Sequence, residues 1–238
     1  MEKETTNYSY YFNTLKQSPI FSEVEDDVLH KILRMFHSKK YLKDNYPLTS
    51  ESTMYNIYVI ISGRVEISVM NFNTDREYII DILGPGDIYD VICLLDKKEH
   101  NIIATALDDM ELLVAPIEVA REWLYIHPDF NKALLPYLGK QLRHFEESAT
   151  DLVLYDTWTR LVKLILRNTD NDTGKLSLIN NLSHEQIAKM IGSARNVVNR
   201  HIQDLKNSQL LSVQRKSLEI NNIHKLIEEF KRRNPFLI

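Results

Sequence analysis

The chain has 238 residues, enough for one large domain or two ordinary ones, and its 44% of hydrophobic residues is normal for a folded protein. Its longest apolar runs are too short to span a bilayer, and its polar, acidic start MEKETTNYSYY is unlike a signal peptide, so we expect a cytoplasmic protein with no membrane partner. The net charge is −4, and the only cysteine, Cys93, excludes an intrachain disulfide, an iron–sulfur cluster and a zinc knuckle held by this chain alone.

The first 115 residues change from helical to strand-like patterns. Residues 1–34 are predicted to be helical, with Ser22 as the N-cap of one helix. Residues 38–115 contain at least five short alternating or apolar runs, rich in Ile, Val and Tyr and separated by turn signals. Such regular spacing favours a β-sandwich or barrel. Residues 60–64 are predicted to form a tight hairpin, and residues 84–86, Gly-Pro-Gly, a sharply turning loop.

A long helix is predicted from Pro128 onward, because apolar residues recur there every three or four positions. Such an apolar seam packs either on the β-rich part of its own chain or on a partner chain. A long helix that leaves a compact barrel has little else to cover it, so we favour a parallel dimer seam between two copies. The seam residues are Leu134, Leu138, Leu142, Phe145, Ala149 and Leu152.

The charge of the chain changes at Tyr155-Asp156, where Asp156 is predicted to cap a helix through TWTRLVKLILR. Residues 157–238 carry 14 lysines and arginines against 7 acidic residues, whereas residues 1–156 carry 15 against 26. A basic end on an acidic body is typical of a protein whose end binds a polyanion. After a polar loop, KLSLI is predicted to be a short strand.

Residues 183–205, SHEQIAKMIGSARNVVNRHIQDL, have the pattern of a helix-turn-helix. Ser183 caps the first helix, and Gly192 makes the turn before the second. The following LLSVQRKSLEIN predicts two short strands around a basic turn with Arg215 and Lys216, a wing whose cations can touch phosphate. We therefore predict a winged helix.

The exposed face of the second helix holds hydrogen-bond donors and no acid. Exposed helix faces usually mix acids and bases, whereas arginine and asparagine can each make two hydrogen bonds to base edges in the major groove. The alternatives are a merely solvated polar face and a tail that binds protein rather than DNA. The predicted DNA-contacting residues are Ser193, Arg195, Asn196, Asn199, Arg200, Gln203, Arg215 and Lys216.

Taken together, these motifs resemble the CRP/FNR family of bacterial transcription regulators. The resemblance covers nearly the whole chain and is carried by IGSARNVVNRHIQDLKNSQLL, LGPGDIYD and LYDTWTRLVKLIL. It implies an α+β fold with a cyclic-nucleotide-binding-like β-roll (1–127, a cupin-like jelly roll with N-terminal helices), a dimerisation helix (128–155) and a winged helix-turn-helix (156–238). It also implies a homodimer on double-stranded DNA with two-fold symmetry, and RNA polymerase as a partner of an activator.

By this resemblance, Arg195, Asn196 and Arg200 fall on the base- and phosphate-contacting positions of the family. Glutamate is common in the family where this chain has Asn196. Glutamate accepts a hydrogen bond from cytosine, whereas asparagine prefers adenine. We therefore expect a DNA half-site that departs from the common TGTGA or TTGAT types.

The β-roll lacks the residue pairs with which cyclic-AMP-binding relatives hold their ligand. In place of their Gly-Glu and Arg-Ser pairs, this chain has Gly86-Asp87 and His100-Asn101, and Phe145-Glu146 replaces the Thr-Ser pair that meets adenine. A phosphate needs a firm cation, and histidine is only partly charged at neutral pH. We therefore expect an unidentified signal, not cyclic AMP, at a candidate effector pocket. Its residues are Gly86, Asp87, His100, Asn101 and Phe145.

Other sensor chemistries stay open in the sequence. Heme is one, which would make the chain a nitric oxide or carbon monoxide sensor, and a small apolar ligand or no ligand are others. Cys93 is expected to be a small buried residue rather than a redox switch. No metal site is predicted, and because no His-x-His, Ser-His-Asp or P-loop pattern occurs, we expect no enzyme. The candidate heme ligands are His37, His100, His127 and His144.

Overall fold

The structure is a computed structural model that describes residues 2–18, 20–170, 174–214 and 217–235. The chain forms two compact units, Met1–His144 and Phe145–Ile238. The helices are α1 (Glu2–Lys16), α2 (Asp26–Leu33), α3 (Ser50–Tyr55), α4 (Val91–Asp96), α5 (Ile117–Ile126), α6 (Pro128–Leu154), α7 (Thr157–Arg167), α8 (His184–Met190), α9 (Arg195–Asn207) and α10 (Ile223–Arg233). The strands are β1 (His37–Tyr41), β2 (Asn56–Ser62), β3 (Val65–Asn71), β4 (Arg76–Leu83), β5 (Ile88–Tyr89), β6 (Ile103–Ala106), β7 (Met110–Pro116), β8 (Leu211–Gln214) and β9 (Ser217–Ile220).

The first unit is built on two antiparallel sheets, with strand orders β1-β7-β2-β5 and β4-β3-β6. The five predicted runs form β2, β3, β4, β6 and β7, which confirms the β-roll. Two strands were not predicted. β1 is exposed along nearly its whole length and has no apolar alternation, and β5 is only two residues long.

Strand β2 shows how the core of the first unit is divided. Ile57, Val59 and Ile61 pack into a core that the strand shares with the surrounding helices, the helical core. Tyr58 and Ile60 belong to a second core among the strands. Successive side chains of a strand point to opposite faces, so β2 separates the two cores and is buried on both sides.

The hairpin predicted at residues 60–64 is wrong, because β2 and β3 belong to different sheets. β2 pairs with β5 and β7, and β3 pairs with β4 and β6. Residue 63 must still be glycine: its φ is +78°, and a Cβ there would lie 2.6 Å from the carbonyl oxygen of Asp109. The turn thus passes the chain from one sheet to the other.

The cap predicted at Ser22 is also wrong. α2 begins at Asp26 after Glu25, whose side chain makes no capping hydrogen bond. Ser22 lies in a turn, where Ile20 and Phe21 are buried in the helical core. Burial of these two apolar side chains holds the chain in turns before the helix starts.

The second unit contains a helix-turn-helix followed by the two strands of the predicted wing. Asp156 caps α7 by accepting a 2.8 Å hydrogen bond from the backbone N–H of Thr159, as predicted. Ser183 and Gln186 form a capping box at the start of α8. β8 and β9 pair antiparallel. KLSLI makes isolated bridges through Lys175 and Leu176 and is not a strand.

The last turns of α6 are fixed to α7 inside the second unit. The buried Asp151 forms an ion pair with Lys163 and a second one with Arg167, whose Nη2 lies 3.1 Å from Asp151 Oδ2. Arg167 also pairs with Glu147 at 3.0 Å. The division between the compact units therefore falls within α6, whereas the sequence analysis placed its domain boundaries near the two ends of this helix.

Candidate nucleic-acid interface and effector loop

The turn of the helix-turn-helix is held by a glycine in the left-handed region. Gly192 has φ of +58°, and a Cβ there would lie 2.6 Å from Cδ2 of Leu152. The next residue, Ser193, donates its backbone N–H to the carbonyl oxygen of Ala188 at 2.9 Å. This close turn sets where α9 begins relative to α8.

The helix α9 has one buried and one exposed face. Val198, Ile202 and Leu205 are buried with α8, as the helical spacing predicts. The five donor residues predicted on the opposite face are all exposed: Arg195, Asn196, Asn199, Arg200 and Gln203.

The positive charge of the exposed face is not neutralised by the protein itself. In the described part of the chain, neither Arg195 nor Arg200 has a carboxylate within ion-pair distance. His201, on the same helix, adds little charge, because burial and then the neighbouring Arg200 lower the pKa of its imidazole. The two guanidinium groups are therefore available to an anionic partner.

Two of the predicted DNA contacts are engaged within the chain, and two others lie outside the described residues. Ser193 is half-buried, and its Oγ lies 3.3 Å from Oγ1 of Thr157. Asn196 accepts the backbone N–H of Val197 with its own Oδ1 at 2.9 Å, and its amide nitrogen has no partner among the described residues. Arg215 and Lys216, which were predicted to form the basic turn, lie outside the described residues.

The predicted seam of α6 divides into a buried and an exposed part. Leu134 is only 2% exposed and belongs to the core of the first unit, so its assignment to a dimer seam is wrong. Leu142 is 70% exposed, and Phe145 and Ala149 are exposed as well. Leu135, which was not among the predicted seam residues, is 65% exposed and lies seven residues before Leu142.

The candidate effector loop is the segment of residues 84–101, which includes β5 and α4, and its Gly86 is covered by the N-terminal segment. The backbone N–H of Gly86 donates to the carbonyl oxygen of Ile60 at 2.8 Å. With φ of +90°, a Cβ at residue 86 would lie 2.3 Å from Cβ of Ser18. The neighbouring Asp87 accepts the N–H of Gly84 at 2.9 Å, and burial raises the pKa of this carboxyl to about 6.

The position that resembles a phosphate-binding arginine holds a histidine bound to a carboxylate. Nδ1 of His100 lies 3.0 Å from Oδ1 of Asp90, and Asn101 is exposed. Asp90 also caps α4 by accepting the N–H of Cys93 at 3.3 Å. Its second oxygen, Oδ2, is buried and has no hydrogen-bond partner in the described part of the chain. The sequence analysis missed Asp90, although a carboxylate before a helix is a capping signal.

Two further groups define the surroundings of α4. The Cys93 thiol is buried, and this burial raises its pKa. Arg121 of α5, also buried and also missed, donates to the carbonyl oxygens of Leu94 at 3.0 Å and Cys93 at 2.8 Å. Phe145, the fifth predicted pocket residue, belongs to the second unit.

The four candidate heme ligands lie on different elements. His37 is exposed on β1, and His100 is bonded to Asp90. His127 stacks on Trp123 with ring centroids 4.0 Å apart, and Nε2 of His144 lies 3.9 Å from Oδ1 of Asp81. Among the described residues, no group of three or more His, Cys, Asp or Glu side chains is placed to hold a metal ion. In the same residues, no helix combines the length and the apolar character that crossing a membrane requires.

Comparison with known proteins decides the family. A sequence model of the cyclic nucleotide-binding domain matches residues 38–124, and one of the Crp-like helix-turn-helix domain matches residues 159–229. The chain belongs to the CRP/FNR family of transcription regulators. Its helix-turn-helix is the DNA-binding part of such a regulator.

Named relatives of this CRP/FNR protein are transcription regulators as well. The CRP-like cAMP-activated global transcriptional regulator of Mycobacterium tuberculosis is 24% identical over 216 residues, which cover 89% of this chain and 96% of the relative. The global nitrogen regulator of Synechocystis is 28% identical over 182 residues, 73% of this chain and 80% of the relative. In fold, the chain resembles a CooA mutant from Carboxydothermus hydrogenoformans, with a TM-score of 0.69 at 24% identity over 86% of this chain and 94% of that one.

Proposed function

We propose that this CRP/FNR protein acts as a homodimer that presents α9 of each copy to successive major grooves of a two-fold symmetric DNA site. The observation that carries the proposal is the exposed face of α9, which holds five donor side chains; two of these are arginines that have no carboxylate partner in the described residues. Donors of this kind match the acceptor atoms of guanine and adenine edges and of phosphates.

An apolar stripe along α6, exposed at most of its positions, supports the dimer. Leu135, Leu142 and Ala149 follow each other at seven-residue intervals, and Leu138 and Phe145 have the same spacing between them. Two interleaved series of this spacing are the a and d positions of a coiled coil. Because large apolar side chains on this stripe are exposed in a single chain, a second copy of α6 would bury them.

The dimer is tested by comparing two substitutions on the same helix. Leu142→Glu places a charge on the stripe, whereas Leu154→Glu places one at a residue that is equally exposed, at 67%, but lies off the stripe. We expect Leu142→Glu to sediment as a monomer and to lose binding to a two-fold site, and Leu154→Glu to behave as the parent. Equal masses for all three proteins would refute the seam.

DNA reading is tested on sites selected from a random pool of double-stranded DNA. Arg200→Ala should weaken binding to most sequences, because a guanidinium lost from a phosphate or guanine contact is not replaced. Asn196→Ala should relax the preference at one base position by about 1–3 kcal/mol. Arg76→Ala, which removes an exposed arginine from β4 of the first unit, is the charge-matched control and should change neither property.

We also infer that cyclic AMP is not the signal. Where the resemblance would require a cation for the cyclic phosphate, His100 is bonded to Asp90, and the carboxyl of Asp87 lies in the same loop. A histidine held by one carboxylate, a second carboxylate at Asp87 and the lack of an arginine at residues 100 and 101 disfavour an anionic ligand there. Calorimetric titration with cyclic AMP should show no saturable binding to the parent protein. Saturable binding at low concentration would refute the inference. A gain of binding in the double variant His100→Arg/Asn101→Ser would support the absence of the Arg-Ser pair as the reason why the parent does not bind.

A further inference from the structure

The first residue of α8 contacts the exposed face of α9. Nδ1 of His184 lies 3.1 Å from Oδ1 of Asn199. The capping box of Ser183 fixes the first turn of α8, and buried Ile187 and Val198 lie on the facing sides of the two helices. The packing of α8 against α9 therefore places the two residues side by side, and their side chains meet at the exposed surface.

This contact separates the two ends of the Asn199 amide. The carbonyl oxygen accepts and the amino group donates, so an oxygen that faces Nδ1 requires a proton on Nδ1. The imidazolium and one neutral tautomer of His184 both carry that proton. One lone pair of the oxygen is then engaged by His184 and the amino group is the end turned away from the histidine, whereas an unrestrained asparagine can turn both ends to N6 and N7 of adenine.

We propose that His184 is a positioning residue that fixes the orientation of the Asn199 amide, so that Asn199 reads a base as a donor alone. The inference rests on the proposed docking of α9 in the major groove. A donor suits N7 of a purine, O6 of guanine and O4 of thymine, but it opposes the amino group that cytosine presents. His184 thus makes Asn199 select against cytosine at the base position that it contacts.

The experiment measures the relative affinities of all four bases at every position of the selected half-site. Asn199→Ala should flatten the preference at one position. His184→Ala should change the preference at that same position only, raising cytosine and adenine about five- to tenfold relative to guanine and thymine, because the released amide can turn. In the double variant the profile should equal that of Asn199→Ala.

Conservative replacement separates positioning from a general structural role. His184→Asn places an amide donor near the site of Nδ1, and we expect it to keep the parent profile. Far-ultraviolet circular dichroism and urea unfolding check that each variant is folded.

Two results would overturn the proposal: a base profile of His184→Ala identical to that of the parent, or an equal loss of affinity for all bases at all positions. If the parent protein itself selects no sequence from the pool, the proposed function fails, and with it the basis of this inference. That outcome is recognised before any variant is made.

Discussion

Gly192 provides a test of how closely the turn of the helix-turn-helix is packed. Alanine at φ of +58° is strained by about 1–2 kcal/mol, because its Cβ approaches the backbone in the left-handed region. The added methyl group would also lie 2.6 Å from Cδ2 of Leu152, but this atom ends a flexible, half-buried side chain that can move, so the overpacking adds at most about 1 kcal/mol. We expect Gly192→Ala to lower the free energy of unfolding of the second unit by about 1–3 kcal/mol in total.

Two comparisons separate these effects. Gly139 lies inside α6 with open space around its Cα, so Gly139→Ala should stabilise the first unit by about 0.5–1 kcal/mol. In the double variant Gly192→Ala/Leu152→Ala, the overpacking cost is removed and only the backbone strain at residue 192 remains. Adding Gly192→Ala to a Leu152→Ala protein should therefore cost only about 1–2 kcal/mol.

The two tryptophans allow each unit to be followed by itself. Trp158 is buried in the second unit, and Trp123 belongs to the first. Urea unfolding of Gly192→Ala is followed by Trp158 fluorescence in a Trp123→Phe background, and that of Gly139→Ala by Trp123 in a Trp158→Phe background. Protomer concentration is held constant, because dimer formation contributes to stability. A change below about 0.5 kcal/mol for Gly192→Ala, or a cost that Leu152→Ala leaves undiminished, would refute the close packing.

Buried groups of the first unit lead to three further predictions. Burial raises the pKa of Asp87 from 3.8 to about 6, so the folded unit holds a proton that the unfolded chain releases, and its free energy of unfolding falls as the pH rises through this range. Asp87→Asn should reduce that slope and be more stable at pH 7 by about 2–3 kcal/mol in urea unfolding; an unchanged slope would contradict this. Iodoacetamide should label the buried Cys93 only after unfolding, and rapid labelling of the native protein would contradict the burial. Arg121→Met should lower the unfolding free energy by about 2 kcal/mol, because the carbonyls of Cys93 and Leu94 lose their donor, whereas Arg232→Met, at an exposed arginine, should change it little.

Features that depend on neighbours in sequence were predictable. The caps at Asp156 and Ser183 involve residues three positions apart, and the exposed and buried faces of α9 follow from helical periodicity alone. Strand pairing is different, because β2 pairs with β7, which begins about fifty residues later in the chain. The turn at Gly63 therefore looked like a hairpin although its strands lie in different sheets.

The seam of α6 illustrates a second limit of periodicity. Leu134 and Leu142 occur in one continuous apolar pattern, yet Leu134 is covered by its own unit and Leu142 is exposed. A helical repeat states that one face is apolar, but it does not state what covers that face. Phe130, Leu134 and Tyr137 are buried in the helical core, and only their burial shows which part of α6 is covered by its own unit.

The exposed face of α9 and the effector loop also differ in whether they depend on residues near in sequence or on contacts between distant segments. All five donors of α9 are carried by one helix, so the face exists as soon as the helix forms. The effector loop is defined by contacts between distant segments: Ser18 covers Gly86, and Asp90 holds His100. His184 is an intermediate case, because Asn199 was predictable on its face while the histidine that contacts it comes from another helix. A periodic pattern therefore identifies which residues share the exposed face of α9, and only the crossing of α8 and α9 shows that the Asn199 amide contacts His184.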